Sequence, residues 1–236
     1  VGVSALGSST GGSNTGLGHQ ALGSLGFASY NTAVGKSSLV ATTTGQGNTG
    51  VGMDSLKANT YGSCNTGIGL NAGDAITTGS GNLMLGGITS AGAVAPAFSA
   101  TTHNDRVSVG STSVTNAYVQ VAWTVVSDAR DKTDLSAVPH GLDFVCALRP
   151  TAYRYKANRD AQEGQGPLRY GFLAQDVLAL EGNSPVIVDA EDADKLRFND
   201  QALLAVYANA MRELRVEVAA LKTQMATLSQ SIGART

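Results

Sequence analysis

A five-residue motif recurs every seventeen positions across residues 1–88. Asn14-Thr-Gly-Leu-Gly18 returns as Asn31-Thr-Ala-Val-Gly35, Asn48-Thr-Gly-Val-Gly52 and Asn65-Thr-Gly-Ile-Gly69, and in degenerate form as Asn82-Leu-Met-Leu-Gly86. The starts at 14, 31, 48, 65 and 82 keep their spacing without a slip. Each full copy runs on to a small residue and usually Leu: Ala21-Leu22, Ser38-Leu39, Ser55-Leu56, then Ala72-Gly73. Val1–Leu6 is the tail of an earlier copy. A unit this short cannot bury a core alone, so strict periodicity specifies a solenoid or stacked coil.

Within each unit one β-branched or Leu residue stands between small ones, which suits a short strand. The glycines allow tight turns and close approach of neighbouring backbones, and Asn and Thr can bond backbone groups at the turns. The row Leu17, Val34, Val51, Ile68 is expected to face the coil interior or a threefold axis shared by three chains. The pattern resembles the left-handed β-roll heads of trimeric adhesins and similar repeats in phage fibres.

Composition changes after this array. Residues 1–100 contain only four charged side chains, Lys36, Asp54, Lys57 and Asp74, out of 34 in the 236-residue chain, but 22 of its 29 glycines. Such a shift marks a boundary between two kinds of structure. Gly45-Gln-Gly-Asn-Thr-Gly50 fits a dinucleotide fingerprint and Gly35-Lys-Ser37 the end of a phosphate loop. Both lie inside repeats with no helical pattern following, so they read as turn residues. Asp54 and Asp74, at non-equivalent repeat positions, make no glycosidase pair. No cofactor, metal, nucleic acid or membrane insertion is expected; no segment is apolar long enough to span a bilayer. Cys64 and Cys146 have no metal-ligand spacing and read as free thiols made in a reducing cytoplasm. Val1 reads as a cut point, so a longer parent protein is expected.

Residues 89–126 read as a β transition. A loop rich in Ala, Ser, Thr and Gly with Pro96 precedes Arg106–Val109 and Tyr118–Val126. In the latter Val119, Val121, Trp123 and Val125 alternate onto one apolar face, predicting a strand with one buried face and Trp123 as a core anchor.

Then come Ser127-Asp-Ala-Arg-Asp-Lys132, Leu148-Arg-Pro-Thr-Ala-Tyr-Arg-Tyr-Lys156, Tyr170-Gly-Phe-Leu-Ala-Gln-Asp-Val177 and an apolar-periodic tail, Leu203–Ile232. This order resembles the intramolecular chaperone family at the ends of phage endosialidases, tail fibres and neck appendages, over residue 127 to about 230. The resemblance implies a domain that trimerises, guides three shaft strands into register and cuts the bond before its serine. The matching bond is Val126–Ser127, the nucleophile Ser127 and its dyad partner Lys132: a single-turnover serine peptidase acting on itself, with no external substrate.

The residue chemistry is compatible with this. A serine hydroxyl needs a base to take its proton, and lysine serves only when partly neutral, through desolvation or a nearby positive charge. Arg130 could supply such a charge, and Asp128 and Asp131 would oppose it. Five residues on an α-helix is about 500°, so Ser127 and Lys132 would diverge there. The dyad needs a turn between them or a lysine from a neighbouring protomer. Ser127 or Asp128 could instead simply cap a helix beginning near Ala129. His140, between Pro139 and Gly141, is a rival base but reads as a loop histidine. Tyr170, Phe172 and Gln175 read as core and trimer contacts before a pocket.

In the tail, Leu204, Tyr207, Met211, Leu214, Val218, Leu221, Met225, Leu228 and Ile232 alternate spacings of three and four, a coiled-coil seam. The expected organisation is therefore a mostly β repeat shaft (1–88), a β transition (89–126), an α+β chaperone and autoprotease domain (127–202) and a long coiled-coil helix (203–236). The leading expectation is the distal part of a phage tail fibre or spike, a homotrimer in the virion joined to upstream fibre or baseplate proteins and a bacterial surface receptor. The alternative is a receptor-binding adhesin tip whose chaperone-like domain stays attached.

Overall fold

The computed structural model describes residues 1–7, 9–156, 159–183 and 185–233. The last three residues of the expected coil, 234–236, lie outside them. The chain divides into two compact units, Val1–Val119 and Gln120–Thr236.

The first unit is a mostly β solenoid. Strands β1 (Thr15–Leu17), β2 (Thr32–Val34), β3 (Thr49–Val51), β4 (Thr66–Ile68), β5 (Leu83–Leu85) and β6 (Val107–Val109) form one parallel sheet in chain order. The pairing register repeats the sequence register: Thr15 faces Thr32, Thr32 faces Thr49, and Thr49 faces Thr66. The stack continues beyond residue 88, because Leu83 pairs with Val107 across a longer rung. The Ala/Ser-rich stretch forms this rung, with Phe98 and Ala100 packed on the core and the Thr101 carbonyl accepting from Thr77 N–H at 2.8 Å.

The motif asparagines form a ladder through the interior. Each side-chain oxygen accepts the next asparagine's backbone N–H: Asn31 to Asn14 at 2.9 Å, Asn48 to Asn31 at 2.9 Å, Asn65 to Asn48 at 2.9 Å and Asn82 to Asn65 at 3.0 Å. The amides of Asn31, Asn48 and Asn65 donate to the carbonyls of Gly45, Gly62 and Gly79. The ladder thus runs between rungs, while bonds within the turns, such as Asn31 Nδ2 to the Ser29 carbonyl at 3.2 Å, accompany it as the sequence suggested. Asn48→Ala should strip Asn65 N–H of its buried acceptor, costing about 1–3 kcal/mol. A clear fall in the shaft's thermal midpoint is the expected result; an unchanged midpoint would count against the ladder.

The row Leu17, Val34, Val51, Ile68 does not face the coil interior. At each strand the central residue, Gly16, Ala33, Gly50, Gly67 or Met84, points inward, and Leu17, Val51 and Ile68 stay 49%, 37% and 45% exposed. The core is filled instead from the following turn, by Leu22, Leu39 and Leu56 with Leu25 and Ile76. These three leucines sit at φ of +56°, +52° and +51°, a conformation that costs an L-residue about 1–2 kcal/mol. It turns each side chain into the coil. The fourth repeat shows the compensation. Gly73 occupies the equivalent position, and a Cβ there would meet Met84 Cγ at 3.2 Å. The larger centre of β5 fills the space a leucine would have taken. Glycine is obligatory at the strand exits: Gly35 has φ +129°, and a Cβ would lie 2.5 Å from the Gly52 carbonyl oxygen.

The second unit is a small α/β body ending in a long helix. Its elements are α1 (Leu142–Ala147), β7 (Thr151–Lys156) antiparallel to β8 (Gly164–Gly171), α2 (Ala174–Glu181), β9 (Val188–Asp189) antiparallel to β10 (Arg197–Phe198), and α3 (Asp200–Gly233). Phe144, Leu148, Val177, Ile187, Val188, Leu203 and Val206 form its core. The strand expected at 118–126 does not form. A strand needs a ladder partner and a surface to cover, and among the described residues no strand pairs with this segment. Trp123, expected as an anchor, is 82% exposed.

Helix α3, about 50 Å long, carries two stripes. Leu203, Val206 and Ala210 are buried, the first two in the body's core. The seam from Met211 to Ile232 is exposed at Met211, Leu214, Val218, Leu221, Met225, Leu228 and Ile232. Tyr207 packs partly on the core, so the body claims a position that periodicity assigned to the seam.

Candidate functional site: a serine and lysine joined by a short turn

After Ser127 the chain makes one 3-10 turn, Ala129–Asp131. Asp128 caps it: its carboxylate accepts Arg130 N–H at 2.9 Å. The same carboxylate takes the Arg130 guanidinium, Nη2 to Oδ2 at 2.6 Å and Nε to Oδ1 at 3.1 Å. The turn closes with Lys132 N–H donating to the Ala129 carbonyl at 3.3 Å. Lys132 is then extended, and its Nζ returns to donate to Ser127 Oγ at 2.6 Å.

The angular objection from an α-helix therefore does not arise. A tighter turn followed by an extended residue brings positions five apart together within one chain. The capping reading and the dyad geometry coexist: Asp128 caps, which leaves the Ser127 hydroxyl for Lys132. Arg130 holds the Asp128 carboxyl below its ordinary range, through the guanidinium first and the backbone N–H second. That pairing is complete above the ordinary carboxylate range and is lost as pH falls through the lowered value. It also neutralises the positive charge that Arg130 could have brought to bear on Lys132. Both Ser127 and Lys132 are exposed in the single chain. The arrangement is a lysine within proton-transfer distance of a hydroxyl, beside an accessible peptide bond.

The other sequence candidates fall elsewhere. His140 stacks on Phe144 at 4.3 Å between ring centres, and among the described residues no hydrogen bond joins it to Ser127. Phe172 lies on the core, stacked on Phe198 at 5.9 Å, while Tyr170 and Gln175 are exposed. Val126, before the pair, is exposed. No group of three or more His, Cys, Asp or Glu among the described residues could hold a metal.

Sequence reasoning missed a polar cluster between α1 and α3. Glu213 Oε2 accepts Leu142 N–H at 2.6 Å, and Asn209 Nδ2 donates to the His140 carbonyl at 2.9 Å. These residues lie about 70 positions apart, and no local pattern links them.

Residues 127–184 match the family model of the chaperone of endosialidase. The match covers about a quarter of the chain and begins at Ser127, the residue that accepts from Lys132. No curated protein and no solved structure matches the chain. The chaperone segment, behind a β-solenoid shaft, fits a tail fibre with a C-terminal chaperone domain. The chaperone family is associated with phage tails, and no helix among the described residues is long and apolar enough to cross a membrane.

Proposed function

We propose that this chain is the distal part of a phage tail fibre or spike, whose C-terminal domain trimerises, guides folding of the shaft and then cuts the Val126–Ser127 bond. The observation that carries this reading is the 2.6 Å contact of Lys132 Nζ with Ser127 Oγ at the first residue of the family match. In the reaction Ser127 Oγ attacks the Val126 carbonyl carbon and Lys132 takes the hydroxyl proton. The C–N bond breaks, the proton passes to the departing Ser127 nitrogen, and Val126 becomes an ester on its own neighbour's oxygen. Water opens the ester, leaving a shaft ending in a Val126 carboxylate and a chaperone beginning with a Ser127 amine.

The exposure of the pair gives the reaction its trigger. Lysine acts as a base only after losing water, and one chain alone does not exclude water from Lys132. Three chains closing over the segment would. The exposed Val119, Val121, Trp123 and Val125 supply the apolar surface for that closure, and the unpartnered seam of α3 supplies the trimer contact. Upstream fibre or baseplate proteins and a bacterial surface receptor complete the proposed partners, in a virion assembled in the host cytoplasm.

On the shaft, the outward row Leu17, Val34, Val51 and Ile68 is the proposed contact between chains. Val51→Asp puts a charge on that row without entering the coil core. After protease removal of residues 127–236, light scattering should return a loss of shaft trimer at an intact monomer fold by circular dichroism. A wild-type trimer from this variant would remove the row from the interface.

The adhesin reading, in which the chaperone-like domain stays attached, is favoured by Phe27, Tyr30 and Tyr61, exposed on a shaft nearly free of charge. Denaturing electrophoresis separates the two readings: two fragments for self-cleavage, one full-length band for the attached tip.

A further inference from the structure

The polar cluster between α1 and α3 has more parts than a helix cap requires. Helix α1 has no side-chain cap of its own, since its N-cap residue is Gly141. The missing acceptor comes from α3, where Glu213 Oε2 takes Leu142 N–H at 2.6 Å. Asn209, one turn earlier on the same helix, donates to the carbonyls of His140 at 2.9 Å and Val138 at 3.4 Å. Its amide also donates to Glu213 Oε1 at 3.3 Å, which holds the carboxylate in place. The fit is close: a Cβ on Gly141 would lie 2.1 Å from Glu213 Oε1 and 2.2 Å from Oε2. Glycine is required here for space, because the carboxylate already occupies the place a side chain would take.

The position of this cluster matters more than its strength. On α3, Asn209 and Glu213 flank Met211, and Leu214 follows directly, so the cluster sits where the exposed seam begins. On the other side it grips residues 138–142, which lead back to Lys132 through only Thr133–Ser136 and Ala137. The six steps from Lys132 to Val138 reach about 20–22 Å when fully extended. The start of the seam and the serine–lysine pair are therefore held on one short tether.

We propose that Asn209, Glu213 and Gly141 form a latch that couples the register of α3 to the placement of Lys132 and Ser127. They are positioning residues: none touches the reacting atoms. This rests on the self-cleavage reading above. With the latch closed, pairing of the seam in a trimer fixes where the tether starts in each protomer. With it open, the seam still pairs, but the pair is no longer delivered to one place, and cleavage loses the orientation on which an intramolecular attack depends.

The test uses the full chain and measures cleavage rate per trimer, with trimer quantified by light scattering and cleavage by denaturing electrophoresis. Glu213→Ala removes the acceptor for Leu142 N–H, and Glu213→Gln keeps an acceptor at the same reach. Gly141→Ala pushes the carboxylate out from the opposite side and leaves α3 untouched. Glu213→Ala and Gly141→Ala are expected to trimerise and to cut about tenfold more slowly per trimer, with Glu213→Gln recovering most of the rate. Wild-type cleavage per trimer in both variants overturns the latch, even if both melt earlier, because a purely structural cap would lower stability alone. If Glu213→Ala does not fold, Gly141→Ala decides the matter by the same measure. Ser127→Ala, run alongside, separates the two claims: cleavage in that variant overturns self-cleavage by Ser127, and the latch with it. An uncut Ser127→Ala beside a normally cut Gly141→Ala removes the latch alone.

Discussion

Ser127→Ala is expected to leave the chain at full length while it still forms trimers. The wild-type chain should resolve into two fragments whose masses place the break between Val126 and Ser127. The expected effect is total because the alanine has no atom to accept the acyl group, and unaided peptide hydrolysis is far too slow to replace it. Lys132→Ala should cut slowly or not at all, by at least about a hundredfold, the usual scale for removing a positioned base. The contact that makes Lys132 the candidate is short and local, Nζ to Oγ at 2.6 Å, and no other lysine or histidine among the described residues donates to that hydroxyl. Rapid cutting in purified Ser127→Ala would eliminate the mechanism. Failure to cut in Ser127→Ala with normal cutting in Lys132→Ala would retain the nucleophile and discard the base. Trimerisation of both variants is part of the expectation, because neither side chain touches the seam.

What was legible in the sequence divides along a physical line. The period of seventeen was readable because in a parallel stack the repeat length is itself the hydrogen-bond register, as the pairing of Thr32 with Thr49 shows. The inward face was not. In Thr-Gly-Val the apolar residue attracts attention, but a Cβ at Gly50 would lie 2.4 Å from Ser38 Oγ, so the inside of the strand admits little there. The leucines that fill the core do so from a positive-φ turn, where propensity would place Gly or Asn. The strand forecast at 118–126 shows the opposite case. Alternation there is perfect, yet alternation reports only that a face wants cover, and among the described residues Val119 stays about half exposed and Trp123 mostly exposed. Helix geometry left two ways to join Ser127 and Lys132, a turn between them or a lysine from a neighbouring protomer, and could not choose; the single chain has a 3-10 turn there. The contribution of Glu213 to the start of α1 did not, since a cap supplied from 71 residues away leaves no trace in local spacing.

Replacing Leu214 and Leu221 together by serine should give a chain that neither trimerises nor cuts. Both leucines are exposed on α3 and lie on the seam, in successive heptads. Burial in a coiled coil is worth about 1.5–3 kcal/mol for each leucine. Both are only about half exposed in the single chain, so two positions in three chains amount to about 5–9 kcal/mol of association energy, enough to prevent assembly at ordinary concentrations. The body of the chaperone domain should survive, because its core uses the other stripe of the helix, Leu203 and Val206. The measured outcome should be a monomer by light scattering with α/β secondary structure retained, and a single full-length band on a denaturing gel. The order of events gives a second measurement. Once cut, the shaft should no longer need the helix, because its own rungs are paired and its outward row is covered by neighbours. Protease removal of residues 127–236 from mature material should therefore leave a trimeric shaft. A shaft that falls apart on that treatment would show the helix to be a permanent clamp and not a folding aid. Full cleavage in the monomeric double-serine variant would show that the pair at Ser127 and Lys132 needs no partner to become active, and would remove trimer closure as the trigger.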